Sequence, residues 1–305
     1  MEYTHFRYLN TQSLKNLTYK SEMVKIFPLI FIFLWSSAFI TTKPIIDYSD
    51  PFAALAFRFF FVALGFYIFA LYSKHKILVN KKDLFQSFSS GVFFHGFYLG
   101  GVFFSISKGM PTGVTALIVT LQPVLTNILA GPILKENVSL KQWVGAALGF
   151  IGAALVLGLD IGKSLPIIGV ASSIIALLAI TGSTLWQKKI NNNLPLSVSN
   201  MYQAIGGCLF HLFIIIFFTA PYIEFTQTFL VAIGHQIFLV SFGAFTIFMY
   251  LIKNNSASKT VSVFFLIPPT SALIAWFFLN ETLNIFDITG FLIATIGVYI
   301  ATRKK

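Results

Sequence analysis

Arg58, His95 and Tyr98 are the side chains best placed to do chemistry, because each sets a polar or ionisable group inside a long apolar run. A guanidinium there binds anions, while an imidazole and a phenol three residues apart share one helical face and offer donors and acceptors to a polar ligand. Ionisable groups at membrane depth are costly and read as functional by default. Arg58 stands seven residues inside the end marked by Pro51. Helix rise puts it about 10 Å deep, shallow enough to snorkel outward or to pair with Asp47 or Asp50. Lys43, at the end of its apolar run, reads as an interfacial anchor.

Two prolines add a backbone feature. Pro123 lies thirteen residues before Glu136, about 20 Å along a helix and so near mid-bilayer. Pro268 matches it in the second half of the chain. Each frees the carbonyl four residues earlier, Val119 or Phe264, and loosens the helix there. Gln122, next to Pro123, is a candidate cavity donor and acceptor. Trp35, Trp186, Tyr202 and Gln203 are further candidates for the same lining, with packing the plainer role of the two tryptophans. His95, His211 and His235 each read singly as hydrogen-bonded helix contacts, and His95 is the cavity candidate because it falls mid-span.

What is missing narrows the chemistry. No Asp or Glu falls inside an apolar run, and no HExxH, GxSxG or paired-cysteine spacing occurs. Catalytic residues, metal ligands and cofactors are therefore not expected. Proton-driven carriers use a carboxylate relay, so cationic drugs are disfavoured against anionic or zwitterionic metabolites. Gly158–Ser164 resembles a phosphate loop but is one residue short with no preceding strand, a coincidence. The single cysteine, Cys208, permits no intramolecular disulfide.

The elements that must hold these residues are membrane helices. The chain is 56% hydrophobic and 10% charged, against about 25% charged in soluble domains. Apolar blocks between polar turns give ten spans, at 27–43, 52–72, 85–106, 112–134, 142–159, 166–187, 197–219, 228–252, 260–279 and 287–302, and the fourth and fifth are each long enough to cross a core of about 30 Å. The fold class expected is an all-α integral membrane protein. Pro28, Pro51, Pro111, Pro166 and Pro195 sit near helix entries, where a missing N–H costs nothing. Phe is abundant, with 36 residues, which codon drift explains as well as an aromatic pocket does.

Shifting the sequence by 145 positions lays Leu121 on Leu266, Pro123 on Pro268, Glu136 on Glu281, Gly145 on Gly290 and Gly152 on Gly297. Such internal repetition in a membrane chain points to transport. Five spans precede the second copy, so the copies insert upside down relative to each other, as two inverted five-helix repeats. Charge agrees: 17 of 21 basic residues fall on one side if the N-terminus is inside. This predicts both termini in the cytoplasm and assigns the +11 charge to orientation and lipid contact rather than nucleic acid. Residues 1–26 read as a cytoplasmic tail, with Met23 an alternative start, followed by repeats at 27–159 and 160–305. The block Ile26–Ala38 looks like a signal peptide, but its repeat partner near Ile168–Lys188 argues against cleavage. Glycine rows such as Gly145-Gly149-Gly152 read as helix-packing surfaces.

Trp35-Ser36-Ser37-Ala38-Phe39, Pro51 to Arg58, Gln122-Pro123-Val124 to Glu136, and Trp143-Val144-Gly145 to Gly152 resemble the EamA family of the drug/metabolite transporter superfamily. Pro268, Asn280-Glu281, Gly290 and Gly297 repeat the pattern more weakly. The resemblance, over residues 27–302, implies a ten-helix carrier moving small metabolites through a central cavity in a bacterial inner membrane, with a homodimer as a candidate assembly. Gln203 stands where symmetry would repeat Arg58, so any role of that arginine is not duplicated. The competing expectations are a membrane-embedded enzyme, a lipid-handling protein or an exporter of drug-like compounds.

Overall fold

Long apolar segments cannot leave backbone groups unpaired in lipid, so they become helices. A computed structural model describes residues 26–157, 165–190, 194–279 and 285–303. The helices are α1 Ile26–Asp47, α2 Pro51–Tyr72, α3 Lys81–Ser107, α4 Thr112–Leu134, α5 Leu140–Leu157, α6 Ile167–Lys189, α7 Leu196–Phe218, α8 Gln227–Asn254, α9 from Ala257 to Leu279, and α10 Ile285–Thr302. This is the ten-helix all-α architecture expected. The N-terminal tail, the Gly158–Ser164 segment and the turn bearing Glu281 lie outside the described residues.

Helix ends follow capping rather than hydrophobicity. α3 starts four residues before its apolar run because Asn80 Oδ1 accepts from Asp83 N at 2.8 Å, and α8 starts where Thr226 Oγ1 accepts from Phe229 N at 3.2 Å. Asp50 caps α2 by accepting from Phe52 N and Ala53 N at 3.0 and 2.9 Å.

Repeat mates lie against each other in opposite directions. α5 and α10 touch backbone to backbone: a Cβ on Gly145 would stand 2.5 Å from Gly297 O, and one on Gly152 would stand 2.5 Å from Gly290 O. Gly145 therefore meets the end of α10 while Gly152 meets its beginning. α2 and α7 pair likewise, with Cys208 Sγ 3.6 Å from Ala56 O and the Phe52 and His211 rings 6.0 Å apart. Alternate crossing places Lys74, Lys76, Lys81, Lys82, Lys135, Lys141, Lys188, Lys189, Lys253, Lys259 and Arg303 at one end of the bundle, termed the basic face, with Lys43 and Lys108 at the other. Glu136, on the basic face, accepts from Ala257 N at 3.1 Å and so caps the start of α9. The far end of α9 consequently points to the opposite face.

Four of the described helices are irregular near mid-bilayer. α4 breaks at Thr120 and Leu121, just before Pro123, with Leu121 N bonded to Ile118 O at 3.1 Å. Residues Ser262–Leu266 of α9 form a 3₁₀ turn just before Pro268. α3 and α8 are π-helical over Val92–Leu99 and Gln236–Ala244, matched positions of the two repeats that carry no proline and that sequence reasoning missed.

The α5–α10 contact yields a direct test. Gly152→Val forces backbone apart and lowers stability by about 1–3 kcal/mol, read as a fall in the thermal midpoint of the detergent-solubilised protein. Gly234→Ala, where an added Cβ meets nothing within 4 Å, leaves the midpoint unchanged or slightly raised.

Candidate functional site

Arg58 turns inward. The residue is 3% exposed, its Nε donates to Ser241 Oγ at 3.0 Å, and an Nη donates to Gln236 Oε1. Its guanidinium carbon lies 5.2 Å over the Phe59 ring. The expectation that it snorkels or pairs with Asp47 or Asp50 is corrected: Asp47 pairs with Lys43 and Asp50 caps α2. Gln236 is fixed in turn, its Nε2 donating to Thr41 Oγ1 and Thr42 Oγ1 at 3.2 Å and to Ala38 O at 3.3 Å. Among the described residues the charge thus has only neutral hydrogen-bond partners.

This network borders a central cavity of about 40 Å³ built by α1, α2, α3 and α8. Trp35, Arg58, His95 and Tyr98, four of the ten cavity candidates singled out from sequence, converge on it, together with Thr42, Gln236 and Ser241. The π turn of α3 carries His95 and Tyr98 into the lining. His95 lies between Phe59 and Phe245, at ring distances of 4.4 and 4.5 Å, and among the described residues its Nδ1 has no hydrogen-bond partner. On the basic side of the cavity, Phe31, Trp35, Phe94, Phe248 and Phe264 interlock at ring distances of 5.2–6.1 Å. His211 and His235 are helix contacts, as read: His211 bonds His95 O at 3.0 Å, and His235 bonds Ser37 Oγ at 3.0 Å.

The remaining candidates fall elsewhere. Gln122 does not line the cavity but is fully buried between α4 and α6, its Nε2 donating to Thr184 Oγ1 at 3.0 Å. Pro123 and Pro268 shape helices without bordering the cavity. Around Pro268, Ser36 Oγ donates to Ile267 O and Ser271 Oγ donates to Ser36 O, at 3.1 and 3.0 Å, joining α1 to α9. Trp186 opens onto an apolar recess with Phe93 and Phe97; its helix face turns toward the α3 aromatics, away from the centre. Tyr202 donates to Ile77 O at 3.1 Å. Gln203 lines a second cavity of about 300 Å³ at the basic face. The partners missed in the sequence, Gln236 and Ser241, were open to the rule that singled out Arg58, since both are polar residues inside a span.

The sequence profile of the EamA-like transporter family matches residues 24–158 and again 167–303. The chain belongs to that family. Curated relatives extend the match along nearly the whole length. An uncharacterized transporter, YvbV, of Bacillus subtilis is 25% identical over 90% of this chain and 90% of its own. A probable amino-acid metabolite efflux pump of Salmonella typhimurium is 21% identical over 89% and 92%. One solved structure superposes with a TM-score of 0.76 at 15% identity, covering 92% of this chain and 97% of that one, which shows the fold. This EamA protein is thus a multi-pass membrane transporter, and its relatives carry transporter names.

The guanidinium network predicts a stability effect within this EamA bundle. Gln236→Leu strips Arg58 and the α1 threonines of their shared partner and costs about 1–3 kcal/mol. Gln236→Glu, which gives the cation a carboxylate, recovers most of the lost thermal midpoint.

Proposed function

We propose that this transporter carries small polar metabolites, anionic or zwitterionic and amino-acid-like, by alternating access through the Arg58 cavity. The observation that carries the reading is a buried guanidinium with neutral partners at a cavity wall. Such a charge is costly, and a substrate carboxylate lowers that cost when it binds. His95 and Tyr98 border the same space and orient the rest of the ligand. The name of the Salmonella relative, an amino-acid metabolite efflux pump, supports the same substrate class.

Volume supports a moving carrier. The central cavity of about 40 Å³ is far below the 300–1,000 Å³ or so of small-molecule sites. A metabolite enters only if the helices part, and the inverted halves, 27–159 and 160–305 in this reading, rock against each other to let that happen. The positive-inside rule sets the basic face and both termini in the cytoplasm, in a bacterial inner membrane. Gln122, Pro123 and Pro268 then act by loosening helices, and Gln203 and Trp186 act outside the central cavity.

Proteoliposomes loaded with amino acids, nucleotides or sugar phosphates test the reading by counterflow. Flux of an amino acid or related anion is expected. Arg58→Ala cuts it by about 10- to 100-fold, the loss of a charge-assisted bond, and Arg58→Lys recovers it only in part. His95→Ala also lowers flux at unchanged expression. Full flux in both alanine variants removes these residues from the path, and turnover of a compound without flux favours the enzyme alternative.

A further inference from the structure

The second cavity is the counterpart of the first under the repeat. The 145-position shift carries Thr42 onto Gln187 and Arg58 onto Gln203, and each pair borders its own cavity. α3 and α8 wall both, α1 and α2 complete the central one, and their mates α6 and α7 complete the other. Contacts obey the same operation: Gln236, the mate of Gly91, meets Arg58, and Gly91 meets Arg58's mate Gln203, where an added Cβ would run into Gln203 O.

Chemistry differs between the two. Where the central cavity has a guanidinium, the basic-face cavity has amides and hydroxyls with cations at the rim. Gln187 Nε2 donates to Gln203 Oε1 at 3.1 Å, and Gln203 Nε2 donates to Ser199 Oγ at 3.3 Å. Two buried groups are left over: among the described residues Gln187 Oε1 and Ser90 Oγ have no partner, though their residues are only 8% and 1% exposed. Lys188 Nζ donates to Ile252 O at 3.2 Å, with Lys253 beside it on the rim. Leaving a buried acceptor unpaired costs about 1–3 kcal/mol, which a bound N–H donor removes.

We infer that the cavity bordered by Ser90, Gln187 and Gln203 is a second binding station for the transported solute, and that it takes α-amino acids. The ammonium donates to Gln187 Oε1 and Ser90 Oγ while the carboxylate turns to Lys188. About 300 Å³ reaches the size of small-molecule sites, so this station has room for a solute where the central cavity has not. A solute crossing the bilayer is handed from a guanidinium to an ammonium-accepting amide, and the aromatic cluster around Trp35 and Phe248 lies between the two.

The inference rests on the carrier reading, and thiol protection tests it separately from flux. In a Cys208→Ala background, Ser90→Cys and Ser87→Cys each place a reporter thiol in the cavity wall. Both are labelled by a water-soluble methanethiosulfonate in proteoliposomes. A panel of the standard L-amino acids is expected to include at least one that slows labelling of both reporters. Gln187→Leu shifts the protecting concentration up about fivefold, the equivalent of one hydrogen bond. Labelling that no amino acid slows, or no labelling at either position, overturns the station even where wild-type flux is intact. Protection unmoved by Gln187→Leu overturns the assigned contact. Absence of wild-type flux overturns the carrier reading and the station's transport role with it.

Discussion

Backbone-to-backbone contact between α5 and α10 is the interaction on which the bundle depends. Apolar side chains gain little by leaving lipid for one another, so helices associate through close packing and interhelical hydrogen bonds. Gly145 and Gly152 on α5, facing Gly297 and Gly290 on α10, bring the two axes closer than any side chain permits. Because these four positions are mates under the repeat, the contact is self-complementary, like an isologous interface folded into one chain. That geometry fixes the antiparallel sense of the halves. The remaining helices then pair across the same pseudo-twofold, with α2 lying on α7.

The inversion gives each half a cavity and lets their chemistry diverge. Arg58 and Gln203 occupy equivalent places, yet one is a permanent cation and the other a neutral amide. Around Arg58, Gln236 and Ser241 solvate a buried ion, with Thr41 and Thr42 holding Gln236 in place. Around Gln203 it leaves acceptors free. A strictly symmetric pair of cavities would present the same groups on both sides, whereas these two present unlike ones.

Much of the architecture was legible in the sequence because its cause is local. Hydrophobic length set the ten helices, and glycine with Pro123 and Pro268 in one register set the repeat. Arg58, His95 and Tyr98, which border one cavity, stood out because polarity inside an apolar run is conspicuous. Gln122 was misplaced by the same rule, since a buried amide serves helix packing as readily as a cavity, and only the contact with Thr184 separates the two. The inward turn of Arg58 was hidden because its partners lie about 180 residues away on α8. No periodicity in a run as apolar as Gln236–Ala244 shows which face meets α2. The π turns left no trace either, since nothing in Val92–Leu99 forbids an ordinary helix.

Those wide turns have a mechanical meaning. Under the repeat operation Val92–Leu99 falls on Ile237–Ala244, inside the second stretch. Each therefore stores one surplus residue at the same level of its own half. Expelling it into the neighbouring coil would re-phase every side chain beyond by about 100°, swinging Gln236 and Ser241, or His95 and Tyr98, off their present bearings. The chain thus contains two screw joints set head to foot at equivalent levels: tightening the one in α8 dismantles the guanidinium's shell, and tightening the one in α3 turns His95 and Tyr98 out of the cavity wall, neither bending a helix.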